Sequence, residues 1–128
     1  MPAIEESLHN SLRRWQREQR EGEIAATGEF SFAPTFPAFN GHFPGQPILP
    51  AVVQLAAVRH LAELAMGEKL SPGGCRNVKF RSAVRPDDLI RAAIVLKPQG
   101  PGWQANFSLQ RAGETVADGT IDLSSAHR

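Results

Sequence analysis

The segment 50–66 constrains the fold most strongly, because it has the length of a helix and is apolar on nearly all sides. Pro50 suits the first turn of a helix, and Gly67 suits its C-terminal cap. A helix without a polar face must be largely enclosed by protein, and this one is too short to span a bilayer comfortably. The sequence therefore predicts a central helix over residues 50–66 that the rest of the chain has to cover. Its apolar side chains are Val52, Val53, Leu55, Ala56, Ala57, Val58, Leu61, Ala62, Leu64 and Ala65.

Strands are predicted to supply that cover, because much of the remaining sequence alternates between apolar and polar residues. The alternation is clearest over residues 103–110. Ala112 and Gly113 predict a hairpin turn after this strand, and Gly119 in the next strand predicts a bulge or a close backbone approach. We therefore expect one α+β domain over residues 1–128, with a curved antiparallel sheet wrapped around one long central helix. The other predicted strands are 22–32, 78–85, 89–96 and 114–123.

The N-terminal segment carries a second helical pattern. Ile4, Leu8, Leu12 and Trp15 follow one another at i, i+4, i+8 and i+11, which is one face of a helix. This spacing predicts a helix over residues 3–20. A helix packed on the edge of the domain explains the pattern better than a helix lying on a membrane surface.

Composition excludes several classes of function. The 128 residues fit one domain, and a net charge of +1 argues against a general nucleic-acid binder. Cys75 is the only cysteine, so neither an internal disulfide nor a Cys-rich zinc site is expected. No apolar run reaches the ~20 residues of a membrane span, and the polar, periodic N-terminus does not read as a secretion signal. We therefore expect a cytoplasmic protein without a metal site, since its histidines also lack metal-ligand spacing: His9, His42, His60 and His127.

The loop before the central helix carries the most informative motif. Residues 33–50 contain five prolines, and residues 39–55 read FNGHFPGQPILPAVVQL. This run resembles the GHFPGxPxxPG signature of the FabA/FabZ-type 3-hydroxyacyl-acyl-carrier-protein dehydratases. Residues 78–88, VKFRSAVRPDD, resemble the FxxPVxPGD strand and turn of the same family, and residues 48–55 are most similar to its aryl-polyene branch. The resemblance extends over most of the chain.

The resemblance implies a hot-dog fold that dimerises, with active sites at the subunit interface. It also implies reversible removal of water from a 3-hydroxyacyl thioester carried on phosphopantetheine, without a metal or redox cofactor. The expected partners are acyl carrier protein or acyl-CoA and a second subunit, in a homodimer, a higher homo-oligomer or a mixed dimer. Basic residues of the strand region would steer an acidic carrier protein, although ordinary solvated strand faces explain them equally well. They are Arg76, Lys79, Arg81, Arg85, Arg91 and Lys97.

The resemblance also assigns roles to individual residues. His42 matches the catalytic histidine, and its near-neutral pKa suits a base that removes the C2 proton. The backbone N–H of Ala51, where the family usually has glycine, matches the oxyanion donor, and the helix dipole would assist it. The substrate site would further include Phe43, Pro44, Gly45, Pro50, Gln54 and Ala56.

One catalytic group expected from the resemblance is missing. Ala56 stands where the family carries Asp or Glu, and alanine cannot transfer a proton. His60 lies one helical turn further on the same face and is a candidate substitute acid. The favoured alternative is a buried histidine bonded to backbone or to Glu63.

Three functions remain open on these residues. The first is a dehydratase or hydratase acting on 3-hydroxyacyl thioesters in fatty-acid or related lipid synthesis. The second is a subunit that binds acyl thioesters, or pairs with an active homologue, after losing the carboxylate. The third and weakest is a thioesterase, for which Glu63 is the only carboxylate on the central helix.

Overall fold

Six antiparallel strands form one sheet along one long helix. The structure is a computed structural model that describes residues 2–39 and 47–126. In these residues a short 3-10 helix, Pro37–Phe39, is the only element besides two α-helices and six strands. The sheet order is β1-β2-β4-β5-β6-β3, so β1 and β3 are the edge strands. The elements are α1 (Pro2–Ser11), β1 (Leu12–Arg20), β2 (Glu23–Ser31), α2 (Ala51–Met66), β3 (Leu70–Phe80), β4 (Leu89–Gln99), β5 (Gly102–Arg111) and β6 (Glu114–Ser125).

The predicted central helix is α2, which begins one residue later than expected. Pro50 is the N-cap, and Gly67 is the left-handed C-cap at φ 73°, with its N–H donating to Glu63 O at 2.8 Å. Val58, Leu61 and Ala62 have no exposed surface, because α2 packs against β1, β2, β3, β4 and α1. This confirms the α+β arrangement of a curved sheet packed on one long helix.

One side of α2 is less covered than an all-apolar helix predicts. Val52 is 71% exposed, and Leu55, Ala56 and Arg59 are only half-buried. The described part of this chain therefore leaves an apolar stripe on α2 open.

The prediction of one helix over residues 3–20 is wrong. The helix α1 ends at Ser11, and residues 12–20 form β1, which pairs antiparallel with β2. The edge of β2 offers unpaired N–H and C=O groups, and strand pairing satisfies them where a longer helix would not. A cross-strand ion pair, Arg14 Nε to Glu29 Oε1 at 3.0 Å, reinforces the pairing. Tertiary pairing has overridden a helical spacing that ran across the boundary between two elements.

The last hairpin confirms the turn and glycine predictions. Ala112 and Gly113 both have positive φ, 51° and 83°, as a tight two-residue hairpin connection requires. A Cβ on Gly119 would lie 2.7 Å from the Cα of Val78, so β3 and β6 approach each other closely there. The β3 strand itself begins at Leu70, well before the predicted start at residue 78, and passes through an irregularity between Pro72 and Cys75.

Candidate active site

The N-terminus of α2 forms the centre of the candidate site. The N–H groups of Val53 and Gln54 donate to Pro50 O at 3.1 and 3.2 Å. Among the described residues, the N–H groups of Ala51 and Val52 find no acceptor, as is usual in a first helical turn. Ala51 has no positive φ, so alanine fits this backbone without strain. Two free donors and the positive end of the helix dipole favour an oxygen that gains negative charge.

A surface cavity of about 360 Å³ opens beside Ala51, the first of these donors. It joins the two segments that the sequence analysis singled out, because residues 48–51 form one wall and residues 80–83 form another. Two hydrogen bonds hold the walls in place: Leu49 N–H donates to Val84 O at 2.8 Å, and Arg81 N–H donates to Val116 O at 2.7 Å. We call this space the mouth cavity. Its lining residues are Ile48, Leu49, Pro50, Ala51, Gln54, Phe80, Arg81, Ser82 and Ala83.

Gln54 lies between the mouth cavity and a small apolar cavity inside the core. The residue lines both cavities, and it is 5% exposed. The Nε2 group donates to Leu49 O at 3.2 Å, whereas Oε1 is buried and has no partner in the part of the chain described. The inner cavity measures about 10 Å³ and is lined mainly by Phe30, Phe32, Leu49, Ala57, Val84, Ile90 and Leu109.

Ala56 faces a different side of α2. It lines a groove of about 190 Å³ together with Val52, Leu55 and Arg59 of α2, and Pro72, Cys75 and Ile121 of the sheet. Gln54 and Ala56 are two residues apart, which is about 200° around a helix. In this single chain, the structure therefore brings Ala51, Pro50 and Gln54 together and does not bring Ala56 to the same cavity.

His60 contacts α1 and lies far from the mouth cavity. Its Nε2 is 3.1 Å from His9 Nδ1, with the two rings edge to face. Burial is the main cause that lowers the pKa of His60, and the charge of His9 adds to it. Glu63 Oε2 accepts from Leu70 N–H at 2.9 Å, so the partner of His60 is His9 rather than Glu63. Nine residues separate His60 from Ala51, roughly 13 Å along a helix axis.

The comparisons with known proteins decide the family. The family model ApeI-like, described as ApeI dehydratase, matches residues 16–120. The chain belongs to this family. The 3-hydroxyacyl-(acyl-carrier-protein) dehydratase FabZ of Clostridium acetobutylicum is 37% identical over 91 residues, which cover 65% of this chain and 64% of the relative. The family match and the FabZ relative support the sequence-based assignment to the FabA/FabZ-type dehydratases.

Solved structures confirm the hot-dog fold of that family. The Dehydratase Heterocomplex ApeI:P from Xenorhabdus doucetiae matches with a TM-score of 0.68 and 28% identity, covering 85% of this chain and 94% of that one. An uncharacterized protein from Erwinia carotovora subsp. atroseptica shares the fold, with a TM-score of 0.75 and 23% identity over 90% of this chain and 95% of that one. The chain spans about half to two-thirds of the length of the first curated relatives that it matches.

Four predicted site residues, His42, Phe43, Pro44 and Gly45, lie outside the described residues. The chain that leads toward them is anchored by a row of four aromatic rings with centroids 5.1–6.1 Å apart. The last ring belongs to Phe39, which is 6% exposed. The sequence analysis missed this row, whose only signal is phenylalanine at residues 30, 32, 36 and 39.

Acidic partners neutralise part of the predicted basic surface. Arg76 pairs with Asp122 at 2.7 Å, and Arg81 pairs with Asp118 at 3.0 Å. The hydrogen bond that Arg76 donates to Asp122 is the main cause that raises the pKa of Arg76. Within residues 2–39 and 47–126 no three His, Cys, Asp or Glu side chains converge to hold a metal ion, and no helix there is long and apolar enough to cross a membrane.

Proposed function

We propose that the chain is a dehydratase or hydratase of 3-hydroxyacyl thioesters, acting in fatty-acid or related lipid synthesis. One observation carries the proposal: the two signature segments meet at the mouth cavity, which is lined by Ala51, whose N–H group has no acceptor among the described residues. A thioester carbonyl placed there would be polarised by the Ala51 N–H, as the resemblance implies. FabZ relatives, named as 3-hydroxyacyl-(acyl-carrier-protein) dehydratases, support this reaction class.

In the proposed reaction, the imidazole of His42 removes the C2 proton of the substrate. The C2–H electron pair forms the C2–C3 double bond, and the C3–O bond breaks. The departing hydroxyl takes a proton and leaves as water. With alanine at position 56, that proton has to come from the protonated His42, from an ordered water, or from His60 through water. We expect no resident cofactor, and we place the reaction in the cytoplasm with the acyl group on acyl carrier protein or CoA.

The direct test follows formation of the conjugated enoyl product from 3-hydroxyacyl pantetheine thioesters of several chain lengths. His42→Ala should lower kcat at least about a hundredfold, because positioned acid–base groups contribute roughly 10²–10⁴-fold. His60→Gln is the matched variant, and unchanged turnover in it would exclude His60 as the acid. A folded wild-type protein without turnover on any chain length would contradict the dehydratase proposal.

A second candidate is a partner subunit in a mixed dimer. The open groove beside Ala56 favours it, because the position that should carry a carboxylate faces away from the chain's own mouth cavity. The Xenorhabdus doucetiae relative is itself named as a dehydratase heterocomplex. If the chain is a partner subunit, it should turn over the substrate only after a homologue with a carboxylate at this position is added. Turnover by the purified chain alone would contradict it.

The thioesterase reading gains no support from the structure. Glu63 is occupied by Leu70 N–H, and twelve residues separate it from Ala51, roughly 18 Å along a helix axis.

A further inference from the structure

We propose that the Oε1 atom of Gln54 accepts a hydrogen bond from the 3-hydroxyl of the bound acyl chain and so selects hydroxylated over unhydroxylated thioesters. The inference rests on the proposed function and assigns one atom of this chain to one group of the substrate. Its starting point is a buried acceptor without a partner. A buried polar atom in that state calls for an explanation, because a buried acceptor has given up its hydrogen bonds to water and gained none from the protein.

The orientation of the Gln54 amide follows from its neighbour. Leu49 O is a carbonyl and can only accept, so the amide group that faces it at 3.2 Å must be the NH₂. The carbonyl oxygen is thereby turned away from Leu49 and left without a donor among the described residues. The hydrogen bond to Leu49 O uses only the NH₂ group of Gln54, so the amide oxygen remains available to accept a hydrogen bond from a ligand.

Among the described residues, no side chain around Gln54 donates to this oxygen. The inner cavity is apolar, and the two other polar side chains of the mouth cavity are engaged. Arg81 donates to Asp118 at 3.0 Å, and Ser82 donates to Glu114 at 3.3 Å. A donor that pairs with the Gln54 oxygen is therefore best supplied by a ligand that enters through the mouth cavity.

The spacing along α2 fits one class of ligand. Ala51 and Gln54 are three residues apart and share a face, with about 4.5 Å between them along the axis. A thioester carbonyl bound at the Ala51 N–H would direct its acyl chain past the next turn of the helix. The hydroxyl on C3 is two C–C bonds and one C–O bond away from that carbonyl carbon, which is a comparable span. The same hydroxyl is the group that dehydration removes, so the enoyl product loses the contact and is released more easily.

The test compares two stable ligands of equal chain length, a 3-hydroxyacyl and a saturated acyl pantetheine amide, by calorimetry. Pairing a buried orphan acceptor should favour the hydroxylated ligand by about tenfold in wild-type protein. Gln54→Met keeps the volume and removes the acceptor, so it should bind both ligands equally. Gln54→Leu serves as a second variant if methionine disturbs the fold. Gln16→Met, an exposed glutamine on β1, is the matched control and should keep the preference.

The outcomes separate this inference from the proposed function. Equal binding of the two amides by a wild-type protein that dehydrates thioesters overturns the role of Gln54 alone. A hydroxyl preference that survives in both Gln54 variants overturns it as well. A folded protein that neither binds the amides nor turns over thioesters overturns the proposed function together with the inference. Thermal unfolding of each variant shows whether a loss of preference reflects the missing acceptor or an unfolded site.

Discussion

The face of α2 on which a residue lies determines which cavity that residue borders. Ala51 and Gln54 share the face that borders the mouth cavity, and Ala56 lies on the side that faces the open groove. The glycine-to-alanine difference at position 51 leaves the backbone donor intact, because a first-turn N–H does not depend on the side chain. At position 56 the resemblance leads us to expect a carboxylate, and alanine has no group that can transfer a proton. On that expectation, position 56 would be the more serious departure from the family pattern.

Gly119 offers a stability test at the same scale. A Cβ there would lie 2.7 Å from both Cα and Cγ2 of Val78, and backbone cannot yield as the end of a flexible side chain can. Gly119→Ala should force β3 away from β6 and lower the free energy of unfolding by about 2–4 kcal/mol. Gly74→Ala is the control, because its nearest contact would be Asp122 Oδ2 at an ordinary 3.6 Å. Urea unfolding of both variants measures the difference, and similar midpoints would contradict the close approach.

Helices and strands whose apolar residues follow one clear periodic pattern were predictable from the sequence. Strands that form because a neighbouring strand pairs with them were not. The strand β5 alternates cleanly, and α2 is apolar over four turns with a proline before it and a glycine after it. In contrast, β1 is an exposed strand that exists because it pairs with β2. The start of β3 was missed because Pro72, Gly73 and Gly74 normally interrupt strands, and here they occupy an irregularity in the pairing with β6.

The packing of α1 on α2 should depend on pH. Burial is the main cause that lowers the pKa of His60 below its ordinary 6.5, and the charges of His9 and Lys69 lower it further. The negative charges of Glu63 and Glu5 partly oppose this shift. As the pH falls, His60 therefore takes up a proton more readily in the unfolded chain than in the folded chain. The contribution of His60 is fully present above about pH 6.5 and declines as the pH falls from there toward the folded pKa.

The measurement is the free energy of unfolding of wild-type protein relative to His60→Gln, at pH 7.5 and again at pH 5. The wild type should lose more stability on acidification than the variant does, since titration of the carboxylates is common to both and cancels. Equal losses in the two proteins would show that the contact between His9 and His60 carries no pH dependence.

On the scale of the whole molecule, the sheet protects its two edges differently. The β1 edge carries charged side chains, which discourage further pairing, and its Arg14 is bound to Glu29. The β3 edge lies beside the open groove, because Pro72 and Cys75 line the groove together with residues of α2. The resemblance singled out the two segments that line the mouth cavity, whereas the groove became visible only when β3 and α2 were placed side by side. Sequence patterns report which residues are apolar, and only the packed chain shows which of them remain uncovered.

This open face should be where a second copy binds, as the dimer expected for the family requires. Val52 is 71% exposed at the rim of the groove, and a charge there would have to be buried without a partner on association. We expect the wild-type protein to sediment as a dimer or larger species and Val52→Lys to shift it toward monomer, with a dissociation constant raised at least about a hundredfold. Leu89→Lys is the control, because Leu89 is 52% exposed on β4 and does not line the groove. Analytical ultracentrifugation over a range of concentrations distinguishes the cases. If Leu89→Lys dissociates the protein and Val52→Lys does not, the subunits meet elsewhere, and the groove beside Ala56 faces solvent instead of a partner's site.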